Sequence, residues 1–161
     1  MPRFARRSPL SKSLGETPMS RHLIPMALLT TALAACGTPP QDLDLSLRHA
    51  STQGRYVVQM DPPAARPAVN QMHAWQIKLS SPDGAPVRNA RIAVDGGMPQ
   101  HGHGLPTRPQ VTREVAEGTY LMEGMKFSMT GWWEIKLAIQ ATDGADTAVF
   151  NTVIDPPAVT R

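Results

Sequence analysis

Trp132-Trp133-Glu134-Ile135-Lys136-Leu137-Ala138-Ile139 is the stretch that decides the fold. A period of two places Trp133, Ile135, Leu137 and Ile139 on one face of an extended chain and Glu134 and Lys136 on the other. This is the pattern of an antiparallel strand buried on one side. Trp75-Gln76-Ile77-Lys78-Leu79 repeats it. Working outward, Tyr56-Val57-Val58, Ala90 to Val94, Val111 to Val115, Tyr120-Leu121-Met122 and Ala148 to Ile154 read as further strands. Turn signals separate them at Pro82-Asp83-Gly84, Gly96-Gly97, Glu117-Gly118 and Asp143-Gly144. No helical period intervenes. About seven short strands in roughly 105 residues predict an all-β fold, one immunoglobulin-like antiparallel β-sandwich over residues 55–157. The chain has few aromatic residues, so Tyr56, Trp75, Phe127, Trp132, Trp133 and Phe150 are expected to anchor its core. Pro62 to Pro67 reads as a connector, and Pro156-Pro157 ends the last strand.

Ahead of this domain, Met19-Ser20-Arg21-His22 leads into the apolar run Leu23 to Ala35 and then Cys36. A basic segment, an apolar stretch shorter than the ~20 residues of a spanning helix, and small residues before a cleavage point are what an export peptide requires. Leu33-Ala34-Ala35-Cys36 resembles a lipobox, which implies cleavage before Cys36 and lipid attachment to it. Residues 1–35 are thus expected to be a signal peptide, with a true start possible at Met19, and residues 36–54 a lipidated tether. The alternation of Leu43, Leu45 and Leu47 leaves a first edge strand open within that tether. Gly37 after the cysteine favours the outer membrane of a two-membrane cell.

Removing the export segment changes the charge argument. Five of the 16 Lys and Arg but only Glu16 of the 13 acidic residues precede Cys36, leaving 11 basic and 12 acidic residues. The basic excess belongs to the leader, so nothing suggests a nucleic-acid partner. Cys36 is the sole cysteine. With it lipidated, neither a disulfide nor a thiolate zinc site is available.

The chemistry concentrates in Gly96-Gly97-Met98-Pro99-Gln100-His101-Gly102-His103-Gly104. His101 and His103 are two apart and project to one side of an extended or turning backbone. Imidazole suits copper and zinc, while the Met98 thioether is a soft donor that favours Cu(I). Ligating imidazoles must be neutral, so binding is expected to weaken below their ordinary range near ~6.5. The bland alternative is a solvated hairpin. Met125 and Met129, flanking Phe127, could add sulfur ligands or simply fill the core. His73 opens the Trp75 strand and is a further candidate ligand, whereas His49, in the tether, reads as solvated. Trp132 and its neighbour Trp133 face opposite ways, which makes Trp132 a candidate partner surface. No nucleophile elbow, phosphate-cradling loop or catalytic cysteine is present, so no enzymatic activity is expected.

Four segments together resemble the YtkA-like domain, which is related to FixH-like proteins: Met72-His73-x-Trp75, Gly96-Gly97-Met98-Pro99-x-His101-x-His103-Gly104, Gly118-x-Tyr120, and Gly124-Met125-x-Phe127-x-Met129-x-Gly131-Trp132-Trp133. The resemblance spans about Asn70 to Ile139. It implies a small immunoglobulin-like envelope domain of the kind found near copper handling, oxidase maturation or metal efflux. The expected protein is a lipid-anchored extracytoplasmic copper binder that stores the ion or passes it to an envelope metal-handling partner. A non-catalytic structural or interaction module is the alternative.

Overall fold

The computed structural model describes residues 39–156. The segment expected to be a signal peptide, and Cys36, expected to be lipidated, lie outside the described residues. Among those described are nine strands and no helix: β1 (Arg48–Ala50), β2 (Val57–Asp61), β3 (Met72–Ser80), β4 (Arg91–Met98), β5 (His103–Gly104), β6 (Gln110–Ala116), β7 (Thr119–Lys126), β8 (Gly131–Ala141) and β9 (Gly144–Ile154). Two antiparallel sheets form, ordered β1-β2-β3-β7-β6 and β5-β4-β8-β9. Setting aside β1 and β5, this is the four-plus-three strand order of an immunoglobulin constant-type sandwich. The seven strands visible as periodic sequence are its seven core strands. β1 and β5 are three and two residues long, too short to carry a period-two pattern.

The alternation works as expected. Trp75, Ile77 and Leu79 from one sheet meet Trp133, Ile135, Leu137 and Ile139 from the other, all nearly inaccessible. Tyr120, also buried, ties the sheets together: its hydroxyl donates to the Val87 carbonyl at 2.7 Å and accepts from the Ala90 amide at 2.9 Å. Tyr56 similarly donates to the Gly144 carbonyl at 2.6 Å. Trp132 departs from the expected core set because it sits on the outer face of β8, half-buried, with its indole N–H bound to Asn151 Oδ1 at 2.9 Å.

Two boundaries differ from the sequence reading. The folded domain begins before residue 55, since β1 lies inside the expected tether and pairs with β2 through Arg48↔Gln59 and Ala50↔Val57. His49 is therefore not a solvated tether residue; its ring stacks on Phe150 at 4.2 Å. Asp146 fastens the next turn. Its carboxylate accepts from Ser51 Oγ at 2.6 Å, and from the amides of Gln53 at 3.0 Å, Arg55 at 3.2 Å and Thr147 at 2.7 Å.

The second difference is Gly96-Gly97, which is not a turn. Both glycines lie inside β4, between β8 and β5, where Gly96 opposes Ile135 and Gly97 opposes both Glu134 and Gly104. A Cβ on Gly96 would collide with the Glu134 carbonyl oxygen, and one on Gly97 with that of His103. Close backbone approach, rather than reversal, is what demands glycine here. The reversal follows at residues 99–102, where the amides of His101 and Gly102 both bond the Met98 carbonyl at 3.0 Å and Gly102 adopts a φ of +65°. Gly97→Ala is expected to cost roughly 1–3 kcal/mol through this overlap and to detach β5. Urea unfolding reads the first effect. Faster exchange of the Leu105 amide, which bonds the Gly96 carbonyl at 3.0 Å, reads the second.

Candidate metal centre

The β4–β5 hairpin is a donor-bearing structure. Met98 and His103 are direct cross-strand partners. Side chains in that relationship leave the sheet on the same face with Cβ atoms about 4.5–5.5 Å apart. Met98 is buried while His103 and His101 are exposed. The two imidazole centroids stand 5.9 Å apart with their planes inclined by 27°. Metal–nitrogen bonds of about 2 Å allow two imidazoles on one ion a centroid separation of up to roughly 6 Å, so the observed spacing lies at the upper end of what a shared ion permits. In its neutral form the His103 ring presents Nε2 as the nitrogen able to ligate. Its Nδ1–H donates to the Gly104 carbonyl at 3.1 Å, leaving the Nε2 lone pair free.

Behind His103 stands an aromatic wall. The fully buried Trp133 meets the His103 ring at 5.6 Å in an edge arrangement, and Phe127 packs on Trp133 at 5.3 Å. The Trp133 indole N–H donates to the Met129 carbonyl at 3.2 Å, fixing the loop between β7 and β8 against this wall. Sequence reasoning placed Trp133 in the core without connecting it to the histidines. The connection arises from register: β4 pairs with β8 through Gly97↔Glu134, which brings the start of β8 alongside Met98.

The other candidates separate. Met125 and Phe127 are fully buried, whereas Met129 is 40% exposed. The shared face expected for the three is broken because β7 ends at Lys126 and the chain then turns toward Gly131, whose φ of +112° no side-chain-bearing residue adopts easily. Met129 is left in solvent beyond the wall, and Met125 stays in the core opposite His73.

His73 touches Phe127 at 5.2 Å, on the inner side of the aromatic wall. Its Nδ1 accepts the Trp75 indole N–H at 2.8 Å, so in the neutral ring the proton sits on Nε2, which is buried without a hydrogen-bond partner. A ring so engaged has no lone pair left for a metal. Burial holds the His73 imidazole below the usual histidine range. The unfolded chain therefore binds this proton more readily than the folded one, and the domain should lose stability as pH falls below about 6.5. Urea midpoints measured at pH 7.5 and 5.5 check this: the wild type is expected to drop more than His73→Gln, whose amide oxygen still accepts from Trp75.

Among the described residues, no three His, Cys, Asp or Glu side chains come together. Glu134, the carboxylate next to the hairpin in register, is paired with Lys136 at 3.1 Å. A cavity of about 610 Å³ opens along the seam between β4 and β6, lined by Ile92, Val94, Leu105, Arg108 and Val111, and contains no histidine.

A family model described as YtkA-like matches residues 48–138. Among solved structures, the chain is similar to one titled "ZirS C-terminal Domain", at 12% identity and a TM-score of 0.38, covering 94% of this chain and 86% of that one. No curated protein matches the sequence.

Proposed function

This chain belongs to the YtkA-like family, and from that premise we propose that it is a lipid-anchored, extracytoplasmic copper-binding protein that holds the ion at the β4–β5 hairpin and releases it to an envelope partner. The observation that carries the reading is the pairing of Met98 with His103, whose Nε2 lone pair is left free by the Gly104 carbonyl. His101 is the second nitrogen donor on the same turn, and Met129 is an exposed thioether at the adjoining loop. Thioether and imidazole ligands exchange readily and favour copper over hard cations. That suits transfer rather than permanent retention, and the role is non-catalytic.

The anchor in this reading is Cys36. Asn151 Nδ2 donates to the Asp44 carbonyl at 3.0 Å, so the expected tether is fastened to the domain from Asp44 onward.

Anaerobic titration of the purified protein with Cu(I) against a competing chelator tests the function. The His101→Ala, His103→Ala double variant is expected to bind at least about 100-fold more weakly than the wild type. Equal affinities, or no binding by the wild type, would reject the reading.

A further inference from the structure

The outer edges of the two sheets differ in how they are closed. β1 is three residues long, and β6 is interrupted by register shifts between Val111 and Arg113 and between Glu114 and Ala116, which spoil it as a template for pairing. Along β9 the Thr147 carbonyl accepts from the Thr52 amide, and Asn151 holds the Asp44 carbonyl. β4 is the exception. It pairs with β8 without a shift from Arg91↔Gln140 to Gly97↔Glu134, yet on its other side β5 covers only Gly97 and Met98. A strand residue sends its N–H and C=O to one side, and its neighbours send theirs to the other. The Gly96 carbonyl turns away from β8 to accept from the Leu105 amide, so Ile92 and Val94, at the same parity, also face outward. Their outward backbone groups have no partner among the described residues. The cavity of about 610 Å³ beside Ile92, Ala93, Val94 and Asp95 leaves space there for another strand.

We propose that this edge pairs with the same edge of a second copy of the chain, antiparallel and centred on Ala93. Arg91-Ile92-Ala93-Val94-Asp95 is self-complementary about that centre. A two-fold axis there sets Ile92 opposite Val94 of the partner subunit, and the outward groups of these residues exchange four hydrogen bonds across the two such pairs. Ala93 meets its own copy in a closely spaced pair, which its small side chain permits. Arg91 comes opposite Asp95 of the partner subunit, and this pairing also occurs twice. Arg91, Ala93 and Asp95 are exposed on one outer face, and neither Arg91 nor Asp95 has an ion pair among the described residues. Opposite charges at directly opposed positions favour this register over a shifted one. The φ of 54° at Asn89 turns the chain off β4 at one end, and Leu105 closes the edge at the other, which limits the pairing to these five residues. Met98 lies five residues from the axis, so it and its copy stand about 34 Å apart along the strands. The two donor hairpins therefore stay separate, and the pairing needs no metal.

Sedimentation of the purified full-length protein at up to about 100 μM should show a reversible monomer–dimer equilibrium. Arg91→Asp and Asp95→Arg each set like charges opposite one another twice, and each should weaken dimerisation by at least about tenfold. Mixing the two variants restores opposite charges at both positions, so the mixture should form a heterodimer of wild-type affinity. Cross-linking reads the register independently. Ala93→Cys places two sulfurs at the axis on Cβ atoms about 4.5–5.5 Å apart and should form a disulfide between copies under mild oxidation, mapped to position 93 by mass spectrometry. Arg91→Cys, whose copies stand about 14 Å apart in this register, should not. Circular dichroism establishes that the variants fold, and the cross-link carries the test if a charge variant does not. A wild type that stays monomeric, a dimer indifferent to the single charge reversals, a mixture no better than its components, or equal cross-linking at positions 91 and 93 overturns the inference. None of these outcomes bears on copper binding by the hairpin.

Discussion

Trp133→Ala is expected to destabilise the domain by about 3–5 kcal/mol, the cost of emptying an indole-sized volume from a packed interior. That is a large part of the 5–15 kcal/mol available to a typical domain. The residue is fully buried, packs on Phe127 at 5.3 Å, and donates its indole N–H to the Met129 carbonyl. Its removal therefore opens a cavity, frees the β7–β8 loop and withdraws the ring against which His103 rests. Chemical denaturation should show the midpoint falling sharply, whereas Trp132→Ala, on the outer face, should cost less than half as much. A loss below 1 kcal/mol for Trp133→Ala would mean that the two sheets do not depend on this contact.

The second large effect belongs to Asp146. Burial by itself would raise the pKa of this carboxyl, but hydrogen bonds from Ser51 Oγ and from the amides of Gln53, Thr147 and Arg55 outweigh it and hold the group at about 2. In the unfolded chain an aspartate titrates near 4, so the folded state releases this proton more readily. The sign follows: the stabilisation is complete above about pH 4 and is lost as pH falls from there toward 2. Asp146→Ala removes the acceptor of the Gln53, Arg55 and Thr147 amides and leaves the buried Ser51 hydroxyl only the Tyr56 carbonyl at 3.1 Å, and is expected to cost about 2–4 kcal/mol at neutral pH. The discriminating measurement is stability against pH. The wild type should weaken between pH 4 and 2 and converge on the variant, while the variant itself should be flatter across that window.

Both predictions rest on long-range pairings, and this marks where sequence reading succeeded and where it stopped. The seven core strands were legible because each half-buried strand writes its own period of two: Trp75-Ile77-Leu79 and Trp133-Ile135-Leu137-Ile139 announce one buried face without reference to any neighbour. β1 and β5 were not legible, since two or three residues cannot show a period, and each exists only because β2 or β4 offers an edge. Gly96-Gly97 was misassigned for a related reason. Glycine satisfies two different demands, reversal of the chain and close approach of another strand, and only the flanking carbonyls of Glu134 and His103 reveal which one applies.

The candidate site divides the same way. The clustering of His101, His103 and Met98 was legible because they sit within one turn, and local spacing is enough to bring them near each other. Met125, Met129 and His73 could not be sorted by spacing. Their fates depend on where β7 ends, on which side of Phe127 each falls, and on a hydrogen bond from Trp75 that occupies the His73 lone pair.

By itself, then, the sequence determined the class of the fold, the positions of its seven core strands and the close spacing of Met98, His101 and His103, all of which are written in patterns spanning fewer than a dozen residues. The tertiary structure alone decided that Asp146 fastens the chain before β2, that Trp133 stands behind His103, and that Met125 and His73 lie on the inner side of that wall. These depend on strand register between distant segments, and register is fixed by the packing of the whole core rather than by any one strand.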